Sequence, residues 1–326
     1  MVLPFRNAVA TLGEAVASIR RQTCADWELL AFDDGSEDDS AAAVVRAAAE
    51  DRRVRLLSSP HVGIVEALRR ACAEARGTYL ARMDADDVAH PERFAEQVHL
   101  LEAEPRMALC GTRVRMVGET VRLGRRRYEK WINAVVEPAD LTRQLFIECP
   151  IPHPTFMMRR EHFEAVGGYQ DRGWAEDHDL VMRFWRAGYT LGKSPRCLLD
   201  WRETPGRLSM TSSRYGEGAF RDLKRHYLFA SFLKDGRPFH QWGAGQVGKR
   251  WLREWKPRRP VAVIDINPRK IGSRIHQTPV IAPGDLPPPG QSFTVVAVGA
   301  PGARDEIRDW FGPRGYRDGV DYLFLA

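Results

Sequence analysis

The sequence predicts an α/β fold, a mainly parallel sheet flanked by helices followed by a small second α/β domain. Three observations carry this expectation. Short apolar runs alternate with segments of helical period along the first third of the chain. Two of those runs end in carboxylates, Asp33-Asp34 and Asp84-Ala85-Asp86-Asp87. Late in the chain, Gly243-Ala244-Gly245-Gln246-Val247-Gly248 lies between a short apolar run and a helical one.

The elements follow in order. Residues 2 to 7 read as a strand and turn, and Val9, Leu12, Val16 and Ile19 share one face of a helix expected from Ala8 to Gln22. A strand over 27 to 32 runs into Asp33-Asp34-Gly35-Ser36. An Ala-rich helix begins near Ser40, a short strand covers 54 to 57, and a helix from about Gly63 to Arg76 stops at Gly77. The strand Tyr79 to Met83 then delivers Asp84, and a helix starts near Pro91. Such alternation places both acidic clusters on the carboxyl edge of the sheet, where open α/β folds bind ligands.

Asp84, Asp86 and Asp87 repel one another unless a cation holds them. Hard oxygen donors with few companions suit Mg2+ or Mn2+ bridging substrate phosphates, so the cluster reads as a nucleotide-diphosphate site. The plain alternative is a solvated acidic turn ahead of the next helix.

Several ordered motifs go further. Leu3-Pro4 with Asn7, Asp33-Asp34-Gly35-Ser36, Ala75-Arg76-Gly77-Thr78-Tyr79, Met83-Asp84-Ala85-Asp86-Asp87, His90-Pro91-Glu92-Arg93, and Gly167-Gly168-Tyr169 followed by Glu176-Asp177-His178-Asp179-Leu180 together resemble the family 2 glycosyltransferases. These are inverting enzymes of the GT-A fold, and the resemblance covers roughly residues 1 to 230. It implies that Asp34 accepts a hydrogen bond from the nucleotide base, that Pro4, Arg6 and Asn7 line the donor site, and that Asp84 and Asp86 contact ribose and metal with Asp87 close by. A metal at the diphosphate would stabilise charge that grows on the leaving group. The resemblance also implies that Asp177 is the general base and that Glu176 orients the acceptor. Against this, acids in the first turn of an amphipathic helix are ordinary dipole partners.

Arg6 departs from the family, which commonly has an aromatic there; a guanidinium plane can stack on a base instead. Arg69 stands where an Asn is often found. His153, in the Pro-punctuated segment 149 to 155, is a candidate for the acceptor side. Arg202 and Arg207, in the segment Trp201 to Ser209, fall where the family often places a basic loop over the donor diphosphate. The first strand begins at Met1, ahead of which relatives carry several residues. The expectation is therefore an upstream start or an incomplete edge of the site.

Arg122 to Lys130 reads as a solvated basic loop. Nucleic acid is excluded as a partner, since 49 basic against 43 acidic residues leave only +6 and no second basic stripe or recognition motif accompanies the run. Peripheral contact with anionic lipid at the inner face of the membrane stays open, because relatives act on lipid-linked glycans. With 44% hydrophobic residues in 326 and no apolar stretch near 18 residues, no transmembrane span or secretory signal is expected. Five scattered cysteines without a C-x-x-C suit a cytoplasmic location.

Lys234 to Pro238 reads as a boundary between domains of residues 1 to 234 and 235 to 326. In the second, Gly243, Gly245 and Gly248 fit a dinucleotide-fold fingerprint, and Asp265 follows Gly248 by 17 positions. The tail resembles small Rossmann-like domains appended to sugar-modifying enzymes. Some 90 residues leave no room for a separate substrate domain, so packing or homodimer formation is expected rather than NAD(P) binding. Residues 279 to 291 read as a Pro-rich loop. Two alternatives stand beside the glycosyltransferase reading: an NAD(P)-dependent oxidoreductase built on those glycines and Asp265, and a catalytically inactive nucleotide-sugar-binding module.

Overall fold

The computed structural model describes every residue except 119, 120, 205 and 206. It divides into two compact units, Met1–Thr142 with Cys149–Tyr215, and Arg143–Glu148 with Gly216–Ala326.

In the first unit β1 (Val2–Phe5), β2 (Leu29–Asp34) and β3 (Val54–Ser59) form a parallel sheet, connected by α1 (Leu12–Arg20) and α2 (Ser40–Glu50). The helix α3 (Ile64–Ala73) leads to β4 (Tyr79–Ala81), and a parallel bridge from Val2 to Arg82 sets the end of β4 beside β1. There follow β5 (Val88–Ala89), α4 (Arg93–Ala103), β6 (Met107–Val117), α5 (Leu123–Ala134), α6 (Pro138–Gln144), β7 (Met157–Arg159), α7 (Arg160–Ala165), α8 (Glu176–Arg186), β8 (Thr190–Arg202) and α9 (Leu208–Thr211). A second sheet runs β4-β7-β6-β8-β5, with β6 and β8 parallel and β7 antiparallel to both its neighbours. Leu12, Val16 and Ile19 of α1 and Leu3, Phe5, Leu29 and Ala31 of the strands are buried in one core. Each large apolar side chain removed from water contributes about 1.5–3 kcal/mol.

Three local expectations are corrected. Val9 lies outside α1 and is 49% exposed. Residues 7 to 9 are held instead as a turn, by Ser36 Oγ on the Asn7 amide, Ser40 Oγ on the Ala8 amide and Asp38 on the Val9 amide. The basic run is no loop but α5, because Ile132 enters the core and Tyr128 and Trp131 pack against it at helical spacing. The Pro-rich stretch contains a strand and a 3-10 turn at Pro283–Asp285.

The second unit opens with α10 (Glu217–Ala230) and continues with β9 (Phe239–Trp242), α11 (Gln246–Glu254), β10 (Val263–Ile264), β11 (Arg274–Ile275), β12 (Thr278–Ile281), β13 (Phe293–Val296), α12 (Ala303–Phe311) and β14 (Tyr322–Phe324). The division falls ahead of Lys234 because α10 is tied into this unit. Arg221 Nε meets Glu254 at 2.7 Å, and Lys224 Nζ donates to the carbonyl of Leu325 at 3.0 Å. The sheet order is β11-β12-β10-β9-β13-β14, parallel throughout except β11. With β9 central, β10 and β12 added on one side of it and β13 and β14 on the other, this is the order of a doubly wound mononucleotide half. Gly243 has φ +113°, and a Cβ there would lie 2.7 Å from the Ala297 carbonyl oxygen; a Cβ on Gly248 would lie 1.9 Å from the Gly243 oxygen. Gly245 has open space around it. Asp265 accepts from the amides of Ala244 and Asn267 and pairs with Lys270 at 3.0 Å, so this chain's own groups occupy the acid. Among the described residues no helix is long and apolar enough to cross a membrane.

Candidate active site

The carboxyl ends of β1, β2 and β4 converge on the acids. Asp34 ends β2 almost buried, and its carboxylate accepts from the Val62 amide at 2.6 Å and the Gly63 amide at 3.1 Å while pairing with His61 Nδ1 at 2.9 Å. The loop before α3 therefore fixes Asp34. Asn7, at φ 50°, accepts from the Glu37 amide at 2.8 Å and pins β1 to the β2 loop. Pro4 is buried within β1. Arg6 is exposed at the rim and approaches Glu37 at 3.7 Å.

Carboxylate oxygens of Asp84, Asp86 and Asp87 lie within 4.8 Å of one another. Asp86 accepts from the Thr204 hydroxyl at 3.0 Å and Asp87 from the Arg202 amide at 2.8 Å. Burial pushes the Asp87 carboxyl well above the usual range, with Asp84 and Asp86 adding to the shift, and burial followed by Asp84 raises Asp86. The other Asp87 oxygen is buried with no partner among the described residues. Crowded oxygens that repel, one of them orphaned, fit a hard divalent cation.

Arg82 is the residue that sequence reasoning missed. It is 4% exposed, binds Asp84, and keeps two guanidinium nitrogens, Nε and Nη1, without partners among the described residues. Its charge acts on Asp177, Glu176, His153 and Tyr169 as well as on Asp84 and Asp87, so one buried cation serves both acid groups. The signal lay in its spacing: Arg82 follows β4 directly and stands two residues before Asp84 in an extended stretch, where alternate residues share a face.

At the start of α8, Glu176, Asp177 and Asp179 occupy the first turn. They part company in their surroundings. Asp179 is fully buried between Trp174 Nε1 at 2.9 Å and Arg183 Nε at 2.8 Å, a structural pair. Glu176 is also buried, has the single Tyr215 hydroxyl donor 2.8 Å from both its carboxylate oxygens, and is pushed up to about 7 by burial and by Asp177. Asp177 alone is half-buried, and its carboxyl is raised by burial, with Asp84 adding to the shift. It is the acid of the three with a face open to a substrate.

His153 lies behind Glu176, with Nδ1 at 3.8 Å, and its Nε2 shares a hydrogen bond with the Tyr169 hydroxyl at 2.9 Å. Burial, then Arg82, holds the imidazole well below its usual pKa, so it is neutral. Arg202 reaches Glu14 at 2.6 Å, and Arg207 reaches Glu203 at 3.1 Å while lying over Trp201. Pro205 and Gly206 of the same segment lie outside the described residues. Gly243, Gly245, Gly248 and Asp265 belong to the other unit.

This constellation of strand-end acids matches a known family: Glycosyl transferase family 2 covers residues 1–167. The chain belongs to glycosyltransferase family 2. The family 2 match is shorter than the 230 residues the motifs suggested and stops before α8. EpsE of Bacillus subtilis (strain 168) is 29% identical over 220 residues, 66% of this chain and 76% of its own. The amylovoran biosynthesis glycosyltransferase AmsE of Erwinia amylovora is 25% identical over 192 residues, 59% of this chain and 70% of its own. Among solved structures, S. aureus TarS 1-349 in complex with UDP-GlcNAc aligns at TM-score 0.52 and 14% identity, covering 72% of this chain and 73% of that one, a likeness of fold.

Proposed function

We propose that this glycosyltransferase carries out a metal-dependent, inverting transfer of a sugar from a nucleotide-diphosphate sugar to an acceptor hydroxyl, in the assembly of a surface polysaccharide or glycoconjugate. The half-open Asp177 beside the triad carries the reading, because a general base must face the acceptor from the same pocket that holds the donor diphosphate. AmsE, named for amylovoran biosynthesis, supports the pathway class.

Asp34 would hold the base, with Pro4, Arg6 and Asn7 at its rim. Asp84, Asp86 and Asp87 would hold Mg2+ or Mn2+, which would neutralise the diphosphate. Asp177 accepts the acceptor's proton as that oxygen attacks the anomeric carbon and the bond to the diphosphate oxygen breaks. Burial raises the Asp177 carboxyl and so strengthens it as a base, while the charge of Arg82 opposes that rise. Glu176, fixed by Tyr215, sets the field around Asp177 and backs the acceptor side together with His153. Arg207 is within electrostatic reach of Asp86 and Asp87 and pairs with Glu203, a partner that a donor phosphate would replace.

Two measurements test this. Binding of a panel of UDP, GDP and dTDP sugars should require Mn2+ or Mg2+, and nuclear magnetic resonance of the first product should find the anomeric configuration inverted. Retention of configuration, or donor binding indifferent to chelator, would overturn the mechanism.

A further inference from the structure

Two buried guanidinium groups act on the acid triad, and they differ in how they are held. Arg93, whose charge meets that of Asp87, is fully buried; its Nε donates to Gln97 at 3.0 Å and its Nη2 to the Arg82 carbonyl at 2.7 Å. The Arg82 backbone is fixed by that bond and by its own amide on the Phe156 carbonyl at 2.9 Å. The Arg82 side chain is tethered at one point. Among the described residues Asp84 is the hydrogen-bond partner of its guanidinium, through Nη2, while Nε and Nη1 are buried without one. Such a group swings without breaking a second bond, and satisfying two buried charged N–H donors rewards the movement.

The second acid group is the partner within reach. The charge of Arg82 acts on Glu176 and on Asp177. A short run of contacts leads the same way: Phe156, which accepts from the Arg82 amide, donates its own amide to the His153 carbonyl at 3.1 Å, and His153 Nδ1 lies 3.8 Å from Glu176.

A divalent cation held by Asp84, Asp86 and Asp87 enters beside this guanidinium, and two effects oppose each other there. An Arg that orients a ligating carboxylate strengthens metal binding, by about 10–100-fold in ordinary cases. Repulsion between the guanidinium and a doubly charged ion that share one buried carboxylate works against binding and is the larger effect. The negative charge of a donor diphosphate removes the conflict. We propose that Arg82 is a positioning residue that competes with the divalent cation for Asp84, so that the triad takes the cation only together with a donor diphosphate, and that the displaced guanidinium turns to Glu176 and Asp177. The inference rests on the proposed cation-dependent donor site.

Mn2+ binding to the full chain, counted by electron paramagnetic resonance of the free ion, tests it. The wild type should bind no Mn2+ alone at concentrations that saturate it once UDP or GDP is added. Arg82→Gln should bind Mn2+ alone at least about tenfold more tightly than the wild type, because the competing charge is gone. Transfer, or hydrolysis of the donor, should nevertheless fall at least about tenfold in that variant, since Glu176 and Asp177 lose their cation. Arg82→Lys keeps the charge and should bind Mn2+ alone as weakly as the wild type; it decides the matter if thermal melting shows that Arg82→Gln does not fold. Mn2+ affinity that is unchanged or weaker in Arg82→Gln, or turnover that is undiminished there, overturns the proposal. So does a wild type that binds Mn2+ equally well with and without nucleotide, or an Arg82→Lys chain that loses Mn2+ in the presence of nucleotide, which would make Arg82 an orienting partner of Asp84. Each of these leaves the cation-dependent reading standing if a chelator still abolishes donor binding, whereas donor binding indifferent to chelator removes both.

Discussion

The hydroxyl of Tyr215 is 2.8 Å from each carboxylate oxygen of Glu176, an acid that is itself buried. A donor to the ionised form lowers a carboxyl pKa, opposing the burial and the Asp177 charge that lift Glu176 to about 7.

Tyr215→Phe removes that donor and should raise Glu176 further. If turnover requires ionised Glu176, the wild-type rate rises through pH 7, and the variant's acidic limb moves to higher pH with its plateau retained. The stability sign follows from the same shift. A carboxyl whose folded pKa lies above its unfolded value binds more protons when folded, so stability falls as pH rises from the unfolded pKa, roughly 4.3, to about 7. Thermal unfolding of Glu176→Gln should lose this part of the pH dependence. A pH–rate profile identical in wild type and Tyr215→Phe would remove Tyr215 from the site's electrostatics.

Asp177→Asn should keep donor affinity and lose transfer by at least roughly a hundredfold, the ordinary scale of general-base catalysis. Asp179→Asn should do something different. It breaks the buried pair with Arg183 and weakens the Trp174 bond, so it should lower the melting temperature, with activity lost only as the fold is lost. Calorimetry beside single-turnover kinetics distinguishes the two acids.

Asp86→Asn should abolish cation-dependent donor binding while leaving the cation-free protein at least as stable as wild type, since one of three mutually repelling carboxylates is gone. Differential scanning fluorimetry reads both effects: the wild type should gain several degrees on adding Mn2+ with donor nucleotide, and the variant should gain none. An equal gain in both would take Asp86 out of the cation site.

Much of this was legible because strand-end acids and helical periods are local signals. Asp34, Asp84, Asp86 and Asp87 are set by the strands just before them, and α3 and α11 by their own spacing. What was hidden depends on partners far along the chain. Tyr215 meets Glu176 across 39 positions, and Thr204 meets Asp86 across 118. Arg125 to Arg127 looked like a solvated loop because their charge masked the stripe of Tyr128, Trp131 and Ile132 beneath. The hold of α10 on the Leu325 carbonyl was hidden for the same reason, coming from 101 residues away.

The glycines of the second unit yield the sharpest contrast. A methyl on Gly248 would sit 1.9 Å from the Gly243 oxygen, a backbone atom held by the β9 strand, so α11 must lift off the sheet. A methyl on Gly245 meets nothing within 4 Å. Gly248→Ala should therefore cost about 3 kcal/mol or more, the upper end of overpacking penalties, and Gly245→Ala should be near neutral for stability. Denaturant titration followed by tryptophan fluorescence suits the test, since Trp251 and Trp255 stack on α11 and at its end. Because Asp265 is already engaged by Lys270 and the Ala244 amide, neither substitution should change binding of NAD(H) or NADP(H), expected to be undetectable in the wild type. Cofactor binding that Gly245→Ala weakens without destabilising the fold would show instead that the open space at Gly245 is kept for a pyrophosphate.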